Sequence, residues 1–311
     1  MTKVLITGGA GFIGSNLVDK LIEKGYEVVI IDNLSTGLKS NVNKKAKFYK
    51  ADIQDKKISD IFLKEKPDVV FHYAAQISVR DSVQNPIDDA KTNILGSLNI
   101  LENCKKNKIK KIIFSSSGGS IYGKTDVFPT NEDCKEVPLS PYAIAKLSVE
   151  KYLNFYYQSF GLEFVALRFA NIYGPRQNSK GEAGVIAIFS DKMIAGEPVI
   201  INGSGKQTRD FVYVDDIVNA SISALEKNEI GVFNLGTATE TDVNTIFLKL
   251  KEILNPNCKE THGQPQSGES ERSCLDFSRA KKVLGWEPKY NLQKGLEKTA
   301  DWFTRSNSAK R

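Results

Sequence analysis

Residues 3–32 place two short β-branched runs on either side of a glycine-rich turn and an amphipathic stretch. No other feature of the sequence narrows the fold as much. Lys3–Thr7 is a short apolar run, and Gly8, Gly11 and Gly14 follow it at a spacing of three. Residues 12–24 carry apolar side chains at helical spacing, and residues 27–31 form a second run closed by Asp32. The alternation then continues. Further buried-strand candidates lie at 46–51, 69–73 and 112–115, with helical patterns at 56–66 and 90–106 between them. Another helix is expected over 141–159, capped by Ser140 and opened by Pro141, and a strand over 162–168. Strands that alternate with helices imply an α/β chain: a parallel sheet covered on both faces and doubly wound through right-handed crossovers.

At 311 residues the chain is too long for one small core. Beyond Asn171 the alternation loosens, and Gly and Pro punctuate 174–184 and 196–205, which read as substrate loops. The expected division is a dinucleotide-type domain over 1–171, with 211–235 returning to it, and a smaller, mainly substrate-binding domain over 172–311. The last residues, 306–311, read as frayed.

No run of about 18 apolar residues exists, and the first apolar stretch is too short for a signal peptide. A cytoplasmic protein with no membrane partner is the expectation. The net charge is +6, with lysine clusters at Lys44, Lys45 and Lys47 and from Lys105 to Lys111. Basic charge alone is a non-specific signal, and these runs read as solvated faces beside strand starts, so no nucleic-acid partner is expected. The four cysteines lack CxxC spacing, and two histidines are too few for a typical metal site, so none is expected. A general base must come from another residue type.

Glycine between a first strand and a first helix allows a tight turn and close approach of the backbone to a pyrophosphate. The helix N-terminus offers that anion free N–H groups and a positive dipole end. Asp32 ends the second strand where an acid binds adenosine ribose hydroxyls, and no arginine lies between Asn33 and Leu38 to take a 2′-phosphate. NAD is expected rather than NADP. Asp52, ending the third strand, reads equally as an adenine contact and as a turn residue.

Tyr142 and Lys146 are four residues apart on the expected helix, which puts their Cβ atoms roughly 5–6 Å apart on one face. A nearby ammonium stabilises a phenolate, so the phenol is expected below its usual pKa of about 10, and oxidised nicotinamide acts in the same direction. Tyr142 is then a candidate general base. The fifth strand leads into Ser115-Ser116-Ser117-Gly118-Gly119-Ser120 at the carboxyl ends of the sheet, where such folds bind ligands. Ser117 is the favoured partner for a reacting hydroxyl, with Ser116 and Ser120 as alternates.

With these residues placed, the chain resembles the extended short-chain dehydrogenase/reductase family over nearly its whole length. The matching motifs are Thr7-Gly8-Gly9-Ala10-Gly11-Phe12-Ile13-Gly14, Asp32–Gly37, Asp52-Ile53, His72–Gln76, Ser115–Gly123, Tyr142–Lys146, Arg168–Arg176, Gln207–Asp216 and Gly268–Asp276. The resemblance implies a Rossmann-like fold. It implies NAD held by Gly8, Gly11, Phe12, Ile13, Gly14, Asp32, Asn33, Ser35, Thr36, Gly37, Asp52, Ile53, Ala74, Ala75, Gln76, Asn93, Ser115, Tyr142 and Lys146. It also implies Tyr142 as base aided by Ser117 and Lys146, and a UDP-sugar held by Ser78, Ser117, Tyr142, Asn171, Val185, Arg209, Arg272 and Ser273. Guanidinium groups independently suit a diphosphate.

Within the family the Ser-Ser-Gly-Gly-Ser-Ile-Tyr-Gly loop is similar to that of the UDP-hexose 4-epimerases. The implied reaction is an internal redox through a transient 4-keto sugar, interconverting UDP-glucose and UDP-galactose with NAD regenerated each turnover. Ser273 stands where a bulky tyrosine in some epimerases excludes N-acetylated sugars, so UDP-GlcNAc and UDP-GalNAc join the expected substrates. Sugar 4,6-dehydratases carry an Asp-Glu pair where this chain has Gly118-Gly119-Ser120-Ile121, and UDP-glucuronate decarboxylases place Glu at Ser120. A non-catalytic NAD-binding regulator usually loses the Tyr/Lys pair. Arg80 reads as structural, with a uronate carboxylate as the alternative. The resemblance further implies a homodimer pairing the helix after Asn85 with the helix of Tyr142.

Overall fold

The computed structural model describes residues 2–180, 184–264 and 271–308. The chain runs β1 (Lys3–Thr7), α1 (Phe12–Glu23), β2 (Glu27–Asp32), β3 (Lys47–Lys50), α2 (Ile58–Glu65) and β4 (Val69–His72). Next come α3 (Val79–Gln84), α4 (Pro86–Ala90), a π-helical turn (Lys91–Leu95), α5 (Gly96–Lys106), β5 (Lys111–Ser117), α6 (Gly118–Ile121), α7 (Pro141–Phe160) and β6 (Glu163–Phe169). The second half holds β7 (Asn171–Tyr173), α8 (Val185–Ala195), β8 (Val199–Asn202), β9 (Thr208–Arg209), β10 (Phe211–Tyr213), α9 (Val214–Glu226) and β11 (Gly231–Leu235). It ends with β12 (Thr241–Asp242), α10 (Val243–Leu254), β13 (Glu260–Gly263), α11 (Ser278–Leu284) and α12 (Leu292–Ser308).

Seven strands form one parallel sheet in the order β11-β6-β5-β4-β1-β2-β3. From β1 the chain winds outward through β2 and β3, then returns to the other side of β1 with β4. The reversal between β1 and β4 creates a crevice at the carboxyl ends of those strands, the usual ligand position in a doubly wound sheet. The strands alternate strictly between two cores. Val4 and Ile6 face the layer that includes Leu17, Val18, Ile217 and Val218, whereas Leu5, Val29 and Ile31 face Phe62, Ile100, Val149 and Leu153. Such strands read as continuous apolar runs because both faces are covered. Outside the large sheet, β7 pairs with β10, β9 with β12 and β8 with β13, and α8, α10 and α12 pack on one another.

Several local expectations change. The helix expected from residue 90 is preceded by α4 and interrupted by the π turn, which aims Asn93 inward. β5 extends through Ser117, and the glycine-rich segment after it is a helical turn rather than an open loop. The stretch 196–205 contains β8, and α8 begins at Val185; residues 181–183 of the other expected loop, and 268–270 of the Gly268–Asp276 motif, lie outside the described residues. α12 continues through Ser308 rather than fraying from 306, and 309–311 are outside the described residues. Lys111 is buried, not solvated: its Nζ donates to the carbonyls of Ala224 at 3.3 Å and Lys227 at 2.5 Å, capping the end of α9.

One buried ionic cluster ties the serine strand to α7. Arg168 of β6 is 2% exposed and donates to Glu150 at 3.0 and 2.6 Å, to Glu136 at 2.8 Å and to the Tyr122 hydroxyl at 2.8 Å. Ser116 donates to the same Glu150 at 2.5 Å. Breaking a buried pair leaves an uncompensated charge. Glu150→Ala is therefore expected to destabilise the protein by about 3 kcal/mol, read as a lowered urea midpoint; an unchanged midpoint would contradict this account of the cluster.

Candidate active site

The first element of the site is the glycine turn between β1 and α1. Gly8 has φ +74°, and a Cβ there would lie 2.7 Å from the Ala74 nitrogen, so the turn presses against the segment leaving β4. A Cβ on Gly14 would lie 2.2 Å from the Gly8 carbonyl oxygen. Gly11 is the N-cap of α1, with no side-chain cap and no acid in the first turn, which leaves the helix N-terminus available to an anion. Phe12, Ile13 and Gly14 are the first residues of that helix. This cradle fits a dinucleotide pyrophosphate.

Asp32 is 7% exposed, and its carboxylate accepts from the Ala10 nitrogen at 2.9 Å and the Leu34 nitrogen at 2.8 Å. It therefore shapes the glycine turn as well as ending β2. Gly37 approaches it so closely that a Cβ would meet its oxygens at 2.9–3.0 Å. Asn33 donates to Asp52 at 2.7 Å, which joins the ends of β2 and β3; Ser35 and Thr36 are exposed beside them, and Ile53 is buried.

Beyond β4, Ala74, Ala75 and Gln76 are held from beneath by buried polar groups. Asn93 donates to the Gln76 carbonyl and accepts from the Gln76 nitrogen, both at 2.9 Å. His72 is clamped between Thr7 and Ser97 at 2.8 Å on each side. The Ser97 hydroxyl donates to the Asn93 carbonyl at 2.6 Å, so it accepts from His72 Nε2–H, and Nδ1 accepts from Thr7. Burial, with Lys146 nearby, pushes His72 down to about 3 and keeps it neutral. Asn93 thus positions the loop that neighbours the glycine turn. Ser78, the N-cap of α3, is buried and accepts from the Asp81 nitrogen at 2.9 Å.

The reactive cluster lies where β5 meets α7. Lys146 is 4% exposed; its Nζ donates to the Ser115 carbonyl at 2.8 Å and lies 5.7 Å from the centre of the Tyr142 ring. Strand alternation separates the three serines. Ser115 donates to the His72 carbonyl at 3.3 Å, and Ser116 turns to Glu150. Ser117 accepts from Ser120 at 2.9 Å and lies close enough to the Tyr142 phenol to favour its ionised form. The geometry favours Ser117 among the alternates.

The expectation of a lowered phenol is not met by the protein's own groups. Desolvation pushes Tyr142 up to about 12, with the nearby Ser117 opposing the rise and Asp89 reinforcing it. Lys146 is itself pulled down to about 8 by burial, with Asp89 and Glu150 opposing the fall. Helical spacing brings the two residues to one face, but the ammonium turns toward the Ser115 carbonyl rather than the phenol oxygen.

On the other side of the crevice, the side chains of Asn171 and Ser273 converge on Gly119: a Cβ there would lie 3.8 Å from Asn171 Oδ1 and 3.9 Å from Ser273 Oγ. Asp210, fully buried, accepts from the Leu275 nitrogen at 3.1 Å and from Thr237, which anchors the segment carrying Arg272 and Ser273. Arg209 and Arg272 lie on adjacent segments, since the Thr208 nitrogen bonds to the Glu271 carbonyl at 2.9 Å. Arg272 forms a two-pronged pair with Glu240 at 3.0 and 2.6 Å and stacks 4.2 Å from the Phe128 ring centre. Val185 opens α8. The sequence marks His72 only as the start of a matching motif, and it does not mark Asp89 or Glu150. Asp89 follows another aspartate and reads as a solvated helix face, so nothing local marks it.

The model of the NAD dependent epimerase/dehydratase family matches residues 4–236. A UDP-glucose 4-epimerase structure from Thermotoga maritima, solved with UDP-glucose, is 50% identical with a TM-score of 0.97, covering 98% of this chain and 100% of that one. The UDP-glucose 4-epimerase of Mycolicibacterium smegmatis is 42% identical, over 97% of this chain and 98% of that protein. The UDP-N-acetylglucosamine 4-epimerase of Methanobrevibacter ruminantium M1, solved with UDP-N-acetylmuramic acid, is 37% identical with a TM-score of 0.93, over 98% and 99%.

In the protein by itself, the tyrosinate absorbance of Tyr142, taken as wild type minus Tyr142→Phe, is expected to emerge only toward pH 12. Its emergence near pH 7 would overturn the assignment of burial as the dominant influence.

Proposed function

The chain belongs to the NAD-dependent epimerase/dehydratase family, and on that premise we propose that it is a UDP-hexose 4-epimerase interconverting UDP-glucose and UDP-galactose. The observation that carries this reading is Lys146, its Nζ held 2.8 Å from the Ser115 carbonyl and 5.7 Å from the centre of the Tyr142 ring, where α7 meets the serine end of β5. No carboxylate occurs in Gly118–Ile121, so the serine turn lacks an acid for eliminating water. The relatives named above act on the same class of substrate.

NAD fits the glycine cradle and the ends of β2 and β3; when bound it supplies the acceptor and donor for the hydrogen at sugar carbon 4 and, oxidised, a positive ring that favours the phenolate. The chain's part is proton transfer and orientation. The Tyr142 oxygen takes the proton of the 4-hydroxyl and later returns it, and Ser117 aligns that hydroxyl. Lys146, with the Ser115 carbonyl fixing its Nζ, holds the nicotinamide ribose. Arg209 and Arg272 grip the diphosphate, and Glu240 holds the Arg272 fork in place. Asn171, Val185 and Ser78 complete the sugar-nucleotide side.

Residues 1–171 together with 211–235 form the NAD-binding part in this reading, supported by β11 pairing with β6 and by α9 packing on α1. The remainder of 172–311 binds the UDP-sugar. A homodimer is supported by the exposed apolar side chains of Val83, Ile87, Ile144, Phe155 and Phe160 on α3, α4 and α7, which pack together. No helix among the described residues is long and apolar enough to cross a membrane; a cytoplasmic location is part of this proposal.

Purified protein is expected to convert UDP-galactose to UDP-glucose without added reductant, with products identified by NMR. Tyr142→Phe is expected to lower kcat by about 10²–10⁴-fold; full retention of turnover, or accumulation of a 4-keto-6-deoxy sugar by wild type, would refute the reading.

Ser273 carries a small side chain and lies beside Gly119, where a bulkier residue would take up more of the site. UDP-GlcNAc and UDP-GalNAc are proposed as further substrates. Ser273→Tyr is expected to lower kcat/KM for the N-acetylated pair at least tenfold more than for UDP-glucose; equal losses would remove Ser273 from substrate selection.

A further inference from the structure

The Glu240 contact assigned above to Arg272 is one side of a larger arrangement on the UDP-sugar side of the crevice. Arg272 donates through Nε to Glu240 Oε1 at 3.0 Å and through Nη2 to Oε2 at 2.6 Å. The Thr208 hydroxyl donates to the same Oε1 at 2.5 Å. The Thr208 carbonyl in turn accepts from Arg209 Nη1 at 2.8 Å. β9 pairs with β12 so that Arg209 lies opposite Thr241 and Thr208 opposite Asp242, which places Glu240, the residue before β12, next to the end of β9. One carboxylate therefore joins the segment of Arg209 to the segment of Arg272.

Phe128 covers the face of the same guanidinium, its ring centre 4.2 Å from Cζ. Its loop is tied to the Arg272 segment. Thr130 forms a parallel bridge with Leu275; its nitrogen donates to the Cys274 carbonyl at 2.9 Å, and its carbonyl accepts from the Asp276 nitrogen at 2.8 Å. Further along the loop, Glu136 accepts from Arg168 at 2.8 Å, and the chain then reaches Ser140, the N-cap of the helix of Tyr142. The ion pair itself does little for stability, because the Arg272 side chain is 54% exposed and water screens a pair at such a position. What these contacts fix is geometry. An arginine side chain has many rotamers, and its planar fork binds an oxyanion in its own plane. Glu240 sets that plane from the edge and Phe128 from the face, so the two constraints do not compete. The Arg272 fork holds the Glu240 carboxyl below the usual carboxylate range, so the pair stays ionised at neutral pH.

Resting on the reading above, we propose that Glu240 and Phe128 are positioning residues for the diphosphate of the UDP-sugar: Glu240 sets the spacing of the two arginine-bearing segments, Phe128 sets the plane of the Arg272 guanidinium, and the clamp is formed before the substrate arrives. An anion that meets a preset fork does not bear the entropy cost of ordering it. The carboxylate near Arg272 carries a cost of its own, since it repels a diphosphate, and that cost is offset only while Arg272 is there to be held. Both residues therefore act through Arg272 and not on the ligand.

The test is calorimetric titration of UDP into NAD-loaded protein, for Glu240→Gln and Phe128→Leu, each in the wild-type background and in Arg272→Ala. With Arg272 present, each variant is expected to weaken UDP binding about fivefold, the cost of ordering one rotamer-rich side chain on binding. With Arg272 replaced, Phe128→Leu is expected to have no effect, and Glu240→Gln to have none or to tighten binding, because a carboxylate without its arginine only repels the ligand. Phe128→Tyr keeps an aromatic face and is expected to bind UDP as wild type does. A merely structural role would weaken binding equally in both backgrounds. Equal losses in the two backgrounds, or unchanged affinity with Arg272 present, overturn the proposal, as does an Arg272→Ala protein that binds UDP like wild type. UDP binding without interconversion of UDP-hexoses would end the epimerase reading, while the same titrations still decided the roles of Glu240 and Phe128.

Discussion

The hydrogen bond from Lys146 Nζ to the Ser115 carbonyl, 2.8 Å long and sealed from water, joins the two elements that make the site. α7 crosses the sheet beside β5, and this bond sets its register against the strand end. The rest of the reactive geometry follows from that register. Tyr142 lies one turn earlier on the same face, its ring centre 5.7 Å from the Lys146 Nζ, and Glu150, one turn later, reaches Ser116 and Arg168. Opposite faces of the same strand end therefore serve opposite purposes: Ser117 meets the tyrosine, and Ser116 closes a buried ionic cluster. An ammonium held by a neutral carbonyl keeps its charge only if anions nearby offset its burial. That requirement gives the carboxylates around α7 a physical meaning.

The second constraint is steric. The glycine turn is packed so tightly that a methyl group at Gly8 or Gly14 would overlap backbone atoms. Its neighbour across the crevice, the segment Ala74–Gln76, is held by a chain of polar groups running from Thr7 through His72 and Ser97 to Asn93. Both walls of the cofactor cradle therefore rest on one buried network, in which His72 is a neutral spacer. Asp32 serves the same end from β2, because the carboxylate that suits a ribose also fastens the Ala10 and Leu34 nitrogens.

The fold was legible because its signals are local and repeated. Each strand of the sheet is an apolar run next to a helical pattern, and the Gly8–Gly14 spacing marks the first turn. Less was legible wherever a residue's meaning depends on a distant partner. Lys111 reads as part of a solvated lysine run, yet its Nζ finds two carbonyls at the end of α9, 113 and 116 residues away. The tyrosine–lysine spacing correctly brings the pair to one helix face, but the direction of the phenol's shift is set by the atoms packed around it. The serine that meets the tyrosine emerged only when β5 proved to extend through Ser117 and so separated the alternates by face.

Periodicity, glycine spacing and the order of charged and hydroxyl residues are properties of neighbours along the chain, and they sufficed to determine a doubly wound sheet, a glycine turn opening its first helix and a tyrosine and lysine on one helix face. Burial and long-range electrostatics are properties of the packed state. Only the tertiary structure decided which serine faces the phenol, that Arg272 is forked onto Glu240, and that Asp89 is buried against Gln76 and Asn93. The physical reason is that desolvation and Coulomb interactions depend on distance through space, and a sequence records only distance along the chain.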